Sequence, residues 1–246
     1  MSRHSPQEIE RCKRIAAKMS VEPAGARLIL SSALLCHVTV LFCSKDSIYK
    51  TLAEDCYDKE RDAMTYTGND PVVAHPPCQL WGKMANVNYA RWGGEHNRPG
   101  NDGGCFRFAL DTVNRCGGVL EHPADSYAWE AHGLLVPPLG GWYRSGDGWV
   151  CEVWQSAYGH RANKRTWLYC ASDEEPKQPD LSRIRGTHQI GFHDQRGKAA
   201  NKPTLSKREA NATPLRFAVY LLEIAIGAAK WHNIALCVKT HSKERK

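Results

Sequence analysis

The chain has 246 residues, 42% of them hydrophobic with eight tryptophans among them, enough for one large domain around a packed core. Its ten cysteines are scattered, with no Cys-x-x-Cys pair and no export signal, so free thiols are expected rather than disulfides or a zinc site. The formal charge is +7, and eleven Lys or Arg against five Asp or Glu between Arg161 and Arg208 supply most of it. Basic, loop-rich sequence of this kind suits a polyanion, most simply nucleic acid; a solvated loop with no partner is the alternative on charge alone.

Ser5-Pro6-Gln7-Glu8 reads as a helix start, with Ile9, Cys12, Ile15, Ala16 and Met19 on one apolar face. The apolar run from Leu28 to Phe42 is broken by Ser31, Ser32 and His37 and is short for a bilayer span. It reads as a helix running into a core strand, in a cytoplasmic protein with no membrane partner. Val38 to Phe42 is the first strand expected, followed by a polar turn, Cys43-Ser44-Lys45-Asp46-Ser47, that lacks the glycines of nucleotide-binding turns. A second strand ending near Cys56-Tyr57-Asp58 puts Asp58 where an acid binds a ribose hydroxyl; Asp55, Glu60 and a merely exposed acid are alternatives.

The central stretch is Pro71-Val72-Val73-Ala74-His75-Pro76-Pro77-Cys78-Gln79. Val72 to Ala74 predict a buried strand, and the prolines end it and present Cys78 at its carboxyl end, where open α/β sheets bind ligands. A thiol there is a candidate nucleophile, and a buried structural cysteine is the alternative. Gly93 to Gly104, with His96, Asn97 and Arg98, reads as a mobile lid or as a disordered loop. Cys105 to Arg115 predicts a helix stopped by Gly117-Gly118, with Phe106, Ala109, Leu110 and Val113 facing the core. Val119-Leu120 predicts a minimal strand ending at the turn Glu121-His122-Pro123. If it lies beside the strand of Cys78, Glu121 and Cys78 share a cleft; otherwise Glu121 is a surface acid. Strands are expected again over Trp149–Trp154 and from Lys164-Arg165 to Cys170. An irregular polar segment fills 172–203, and Thr213-Pro214 begins a helix with Phe217, Ala218, Leu221, Leu222 and Ala225 inward.

Taken in order, these fragments resemble the DNA (cytosine-5) methyltransferase family, most closely its short, divergent bacteriophage members. Pro76-Pro77-Cys78-Gln79 is similar to the family's Pro-Cys-Gln, and Glu121-His122-Pro123 to its Glu-Asn-Val. Tyr158-Gly159-His160-Arg161 with Lys164-Arg165 resembles Tyr-Gly-x-x-Gln-x-Arg-x-Arg. Leu205-Ser206-Lys207-Arg208-Glu209 resembles Leu-Thr-x-Arg-Glu, and Asn211-Ala212-Thr213-Pro214 resembles Gly-Asn-Ser-Val-Pro. The resemblance implies an α/β, Rossmann-like methyltransferase fold with a mostly parallel sheet flanked by helices and a small irregular basic insertion. It divides the chain into an N-terminal helical extension (1–37), a catalytic domain (38–171 and 204–230), a reduced target-recognition insertion (172–203) and a basic tail (231–246).

The implied chemistry is methyl transfer from S-adenosylmethionine to carbon-5 of a cytosine flipped out of DNA, with low or short sequence specificity. Carbon-5 is barely nucleophilic until a thiolate adds at carbon-6, so Cys78 is the implied nucleophile. Glu121 is the acid at ring nitrogen-3, and Arg165 with Arg161 holds the base or a phosphate. The implied donor residues are Phe42, Ser44, Asp58, Asn211 and Thr213, and the implied substrate contacts are Pro77, Gln79, His96, Arg98, His122 and Tyr158; no metal is implied. The sequence departs from the family at its Phe-x-Gly-x-Gly loop, here Phe42-Cys43-Ser44-Lys45-Asp46, and at Ala162, where the family has glutamine. A related pyrimidine- or nucleotide-modifying enzyme with another donor, and a DNA-binding relative without catalysis, are the competing readings.

Overall fold

A computed structural model describes residues 38–191 and 202–229. The expected N-terminal helix and the basic tail lie outside the described residues. The first three strands form where short apolar, β-branched runs meet turn signals. They are β1 (Thr39–Leu41), β2 (Asp55–Cys56) and β3 (Val72–Ala74). They are followed by β4 (Gly118–Pro123), β5 (Tyr143–Ser145), β6 (Gly148–Trp154) and β7 (Arg165–Ala171). All seven join one sheet in the order β2-β1-β3-β4-β7-β6-β5. Pairings are parallel from β2 to β4 and antiparallel from β4 to β5. The sheet is therefore mixed, with its parallel half in the middle and at one edge; the expectation of a mostly parallel sheet holds only for that half. Within the antiparallel half, Ser145-Gly146-Asp147-Gly148 closes a tight hairpin between β5 and β6.

The chain leaves β1 toward β2 on one side and returns through β3 on the other, which makes the β1/β3 boundary a topological switch point. Side-chain alternation along the strands separates two apolar layers. Val40, Val73, Val119 and Leu168 face one layer with Tyr49, Tyr158 and α5 (Leu215–Gly227). Val72, Ala74, Leu120 and Trp167 face the other with Trp129 and α2 (Cys105–Cys116). The inward faces expected for these two helices are the buried ones. α1 (Lys83–Trp92), α3 (Ala128–Ala131) and α4 (Lys207–Asn211) complete the described helices, and none of these three was expected from the sequence. Gly118 has φ +129°, and a Cβ there would lie 2.1 Å from the Val72 carbonyl oxygen, so only glycine lets β4 register against β3.

From Ser172 to Gly191 there is little regular structure, as expected, but the segment is anchored. The Lys177 carbonyl accepts from Trp142 Nε1 (3.1 Å) and the Tyr220 hydroxyl (2.9 Å), and Ala162 and Gln189 bridge to His188 and Thr204. No helix among the described residues is long and apolar enough to cross a membrane.

Candidate active site

The β3–β4 register decides the geometry. Ala74 pairs with Leu120, so the next residues outward, His75 and Glu121, face each other at the carboxyl ends of adjacent parallel strands. The His75 amide donates to the Leu41 carbonyl (3.0 Å), which ties this point to the end of β1 and so to the switch point. Pro76 and Pro77 then stop the ladder, and Cys78 emerges partly exposed, as the sequence predicts. Glu121 lies within β4 rather than on a turn after it, because the strand continues through Pro123 against β7.

Glu121 is held on both oxygens. His75 Nδ1 lies 2.9 Å from Oε2, and Gln155 Nε2 donates to Oε1 at 3.1 Å and to Thr166 Oγ1 at 3.0 Å. Only 11% of the Glu121 side chain and 14% of the His75 side chain reach solvent. Burial alone would push the Glu121 carboxyl up, but the His75 hydrogen bond and the charge of Lys164 outweigh it and hold it at about 2. Cys78 experiences the opposite balance. Burial and the Glu121 charge push its thiol above the ordinary value, against weaker pulls from Lys164 and Lys207. The site at neutral pH is thus a protonated thiol beside an ionised carboxylate.

His122, expected to touch substrate, points the other way. Strand alternation sends it into the second layer, fully buried, with its ring 5.2 Å from Phe106 and 6.2 Å from Trp129. Its Nδ1 is 2.8 Å from Ser126 Oγ, and burial holds it neutral at about 4, against the opposing influence of Glu121 and the Pro77 carbonyl. Fully buried, it belongs to the second layer and presents no surface to a substrate. Tyr158 is corrected likewise. It is buried against Phe217 and Tyr220, and its hydroxyl accepts from the Asp180 amide (2.8 Å), so it anchors the irregular segment.

The arginines are committed elsewhere. Arg165 Nε and Nη2 clasp Glu152 at 2.9 and 2.8 Å, and Nη1 donates to Asp125 at 3.0 Å. Arg165 therefore straps β6, β7 and the turn after β4 together. Lys164, one residue earlier, is the cation whose charge reaches both Glu121 and Cys78. Arg161 pairs with Glu209 at the N-terminal turn of α4, which joins two of the segments that carried the resemblance. Pro77 and Gln79 are exposed beside Cys78.

His96 and Arg98 are exposed on a short turn, Arg98 facing Glu95 at 3.5 Å. That loop is latched: Gly100 donates to the Leu80 carbonyl (2.9 Å), and Trp81 Nε1 donates to Asp102 (2.8 Å), whose carboxylate also accepts from the Gly104 and Phe106 amides. The loop is thereby held against Trp81, three residues beyond the thiol.

Around the first turn, Phe42 adopts φ +60°, a left-handed conformation that a bulky side chain takes only under constraint. This swings the chain so that the Cys43 amide reaches the Tyr57 carbonyl (2.9 Å). A single 3-10 turn, Ile48–Thr51, follows, with no α-helix between β1 and β2. Asp58 ends beyond β2 as expected, but its carboxylate pairs with Lys50 and accepts from the Glu60 and Arg61 amides, which hold it at about 2. The alternative acids are also engaged, Asp55 by Arg61 and Glu60 by Lys45. Ser44 and Asn211 are exposed, and Thr213 is half-buried before α5.

His75, Gln155, Lys164 and Thr166 were missed as site residues. The signal for His75 was present, since counting outward in parallel register from Val72 opposite Gly118 places it against Glu121. Gln155, Lys164 and Thr166 had no such signal, because their approach depends on β7 inserting between β4 and β6. No protein-family model, curated protein or solved structure matches this chain.

Proposed function

We propose that this protein modifies cytosine in DNA through a covalent adduct between Cys78 and ring carbon-6, as a cytosine-5 methyltransferase-like enzyme of a Rossmann-like fold. One observation carries the reading: the partly exposed thiol at the end of one parallel strand sits in the field of a carboxylate held at the end of the next. Addition of the sulfur to carbon-6 turns the ring into an enamine nucleophilic at carbon-5, provided that ring nitrogen-3 receives a proton. The thiol supplies a proton as it adds, and Glu121 is the group through which that proton passes to nitrogen-3. Lys164 and the basic 161–208 segment attract the phosphates, and the base leaves the stack to reach Cys78.

The donor proposed with this reading is S-adenosylmethionine, whose methyl group carbon-5 would attack. The donor residues fit less well than the base site. The turn after β1 offers no helix N-terminus, and the acid meant for the ribose hydroxyls is engaged by Lys50 and two amides. That engagement favours a second reading, the same thiol addition with a different donor.

The adduct can be tested without any donor, because reversible addition at carbon-6 makes the carbon-5 hydrogen exchange with solvent. Wild-type protein in deuterated water should label cytosines of DNA, detected by mass spectrometry of the released nucleosides, and Cys78→Ala should not. Absence of exchange by wild type, or labelling by Cys78→Ala equal to wild type, overturns the reading. Appearance of 5-methylcytosine on addition of S-adenosylmethionine separates the first donor from the second.

A further inference from the structure

We infer that His75 is a positioning residue that acts through Glu121, sharing one proton with it so that the carboxyl can be protonated at the moment ring nitrogen-3 needs a donor. The inference rests on the cytosine-addition reading. A carboxylate that accepts on both oxygens cannot itself donate a hydrogen bond to nitrogen-3. Glu121 is in that state here, with Gln155 on Oε1 and His75 on Oε2. His75 is the imidazole hydrogen-bonded to Glu121, and an imidazole can both give up a proton and take one back.

The surroundings support this role. The His75 backbone is pinned to β1 through the Leu41 carbonyl, and its ring packs on Tyr49 with centroids 5.1 Å apart. Its Nε2 is buried without a hydrogen-bond partner, so Nδ1 is the atom through which it acts. The titratable groups around the pair are Tyr49 from the 3-10 turn, His122 on β4, Lys164 before β7 and Cys78 after β3. Burial and the Glu121 charge keep Tyr49 a phenol, so it takes no part in the exchange.

The step balances within the site. The Cys78 Sγ–H bond breaks, and a sulfur bond to carbon-6 forms as the carbon-5/carbon-6 π pair moves between carbon-5 and carbon-4 and the carbon-4/nitrogen-3 π pair moves onto nitrogen-3. Nitrogen-3 takes, through Glu121, the proton shared between His75 Nδ1 and Glu121 Oε2, leaving a neutral imidazole beside the carboxylate, and the thiol proton replaces it. The pair is unchanged, and no outside acid or base is consumed.

His75→Gln separates a proton role from a structural one, because the glutamine amide can still donate to Glu121 but cannot carry a proton. Carbon-5 exchange should fall on the order of 100-fold in His75→Gln, as far as in His75→Ala. Exchange in His75→Gln at the wild-type rate overturns the inference while leaving the adduct reading intact. Wild-type protein that shows no exchange overturns both. Nitrogen-15 spectra of the wild-type imidazole need no substrate: a protonated Nδ1 whose shift changes in Glu121→Gln is expected, and an unprotonated Nδ1 overturns the inference.

Discussion

The Glu121 carboxylate ties stability to pH in a way that can be measured directly. Its carboxyl is held at about 2 in the folded protein against an ordinary value of 4.5. A depression of that size corresponds to about 3 kcal/mol, at about 1.4 kcal/mol for each unit. Because the folded value is the lower one, this stabilisation is complete above about pH 4.5 and is lost as pH falls toward 2. Glu121→Gln keeps the shape and an acceptor for His75 but removes the titration. Urea denaturation of both proteins at pH 7, 4 and 3, followed by tryptophan fluorescence, isolates Glu121, since every other carboxylate is common to the two. The stability gap should hold from pH 7 down to about 4.5, be smaller at pH 4 and smaller again at pH 3. A gap that stays constant down to about pH 3 would falsify the assignment of Glu121 as a buried, ionised carboxylate.

Three further outcomes follow from the geometry. Arg165→Ala should cost about 2–3 kcal/mol, less than breaking a fully enclosed pair because Arg165 is 40% exposed while Glu152 is 4% exposed; no change in thermal midpoint would refute the strap. Gly118→Ala should destabilise by about 3 kcal/mol or more, through a clash with the Val72 carbonyl at a positive φ; near-native stability in denaturant would show that β4 does not approach β3 this closely. DNA affinity should fall steeply with salt, and Arg183→Ser with Arg185→Ser, both exposed, should lower the log–log slope by roughly 2; an unchanged slope would place the phosphates elsewhere.

The sequence by itself determined the local grammar of this protein. Val72 to Ala74 form a strand that the following prolines must end, which puts Cys78 at a carboxyl edge. The helical spacing of Phe106, Ala109, Leu110 and Val113, and of Phe217, Leu221 and Leu222, gives each of the two longest helices among the described residues its buried face. These features depend on neighbours a few residues apart. The adjacency of β3 and β4 could be posed from sequence only as a condition, and tertiary pairing met it. The same pairing gave His75 to Glu121, and strand alternation turned His122 away from the site it had been assigned to. The insertion of β7 between β4 and β6 brought Lys164 and Gln155 to Glu121 and committed Arg165 to Glu152. A charged or polar side chain on a strand end takes its role from whichever strand lies beside it. Contacts 34 to 46 residues apart, such as Gln155 and His75 with Glu121, are therefore set by sheet order, which no local pattern encodes.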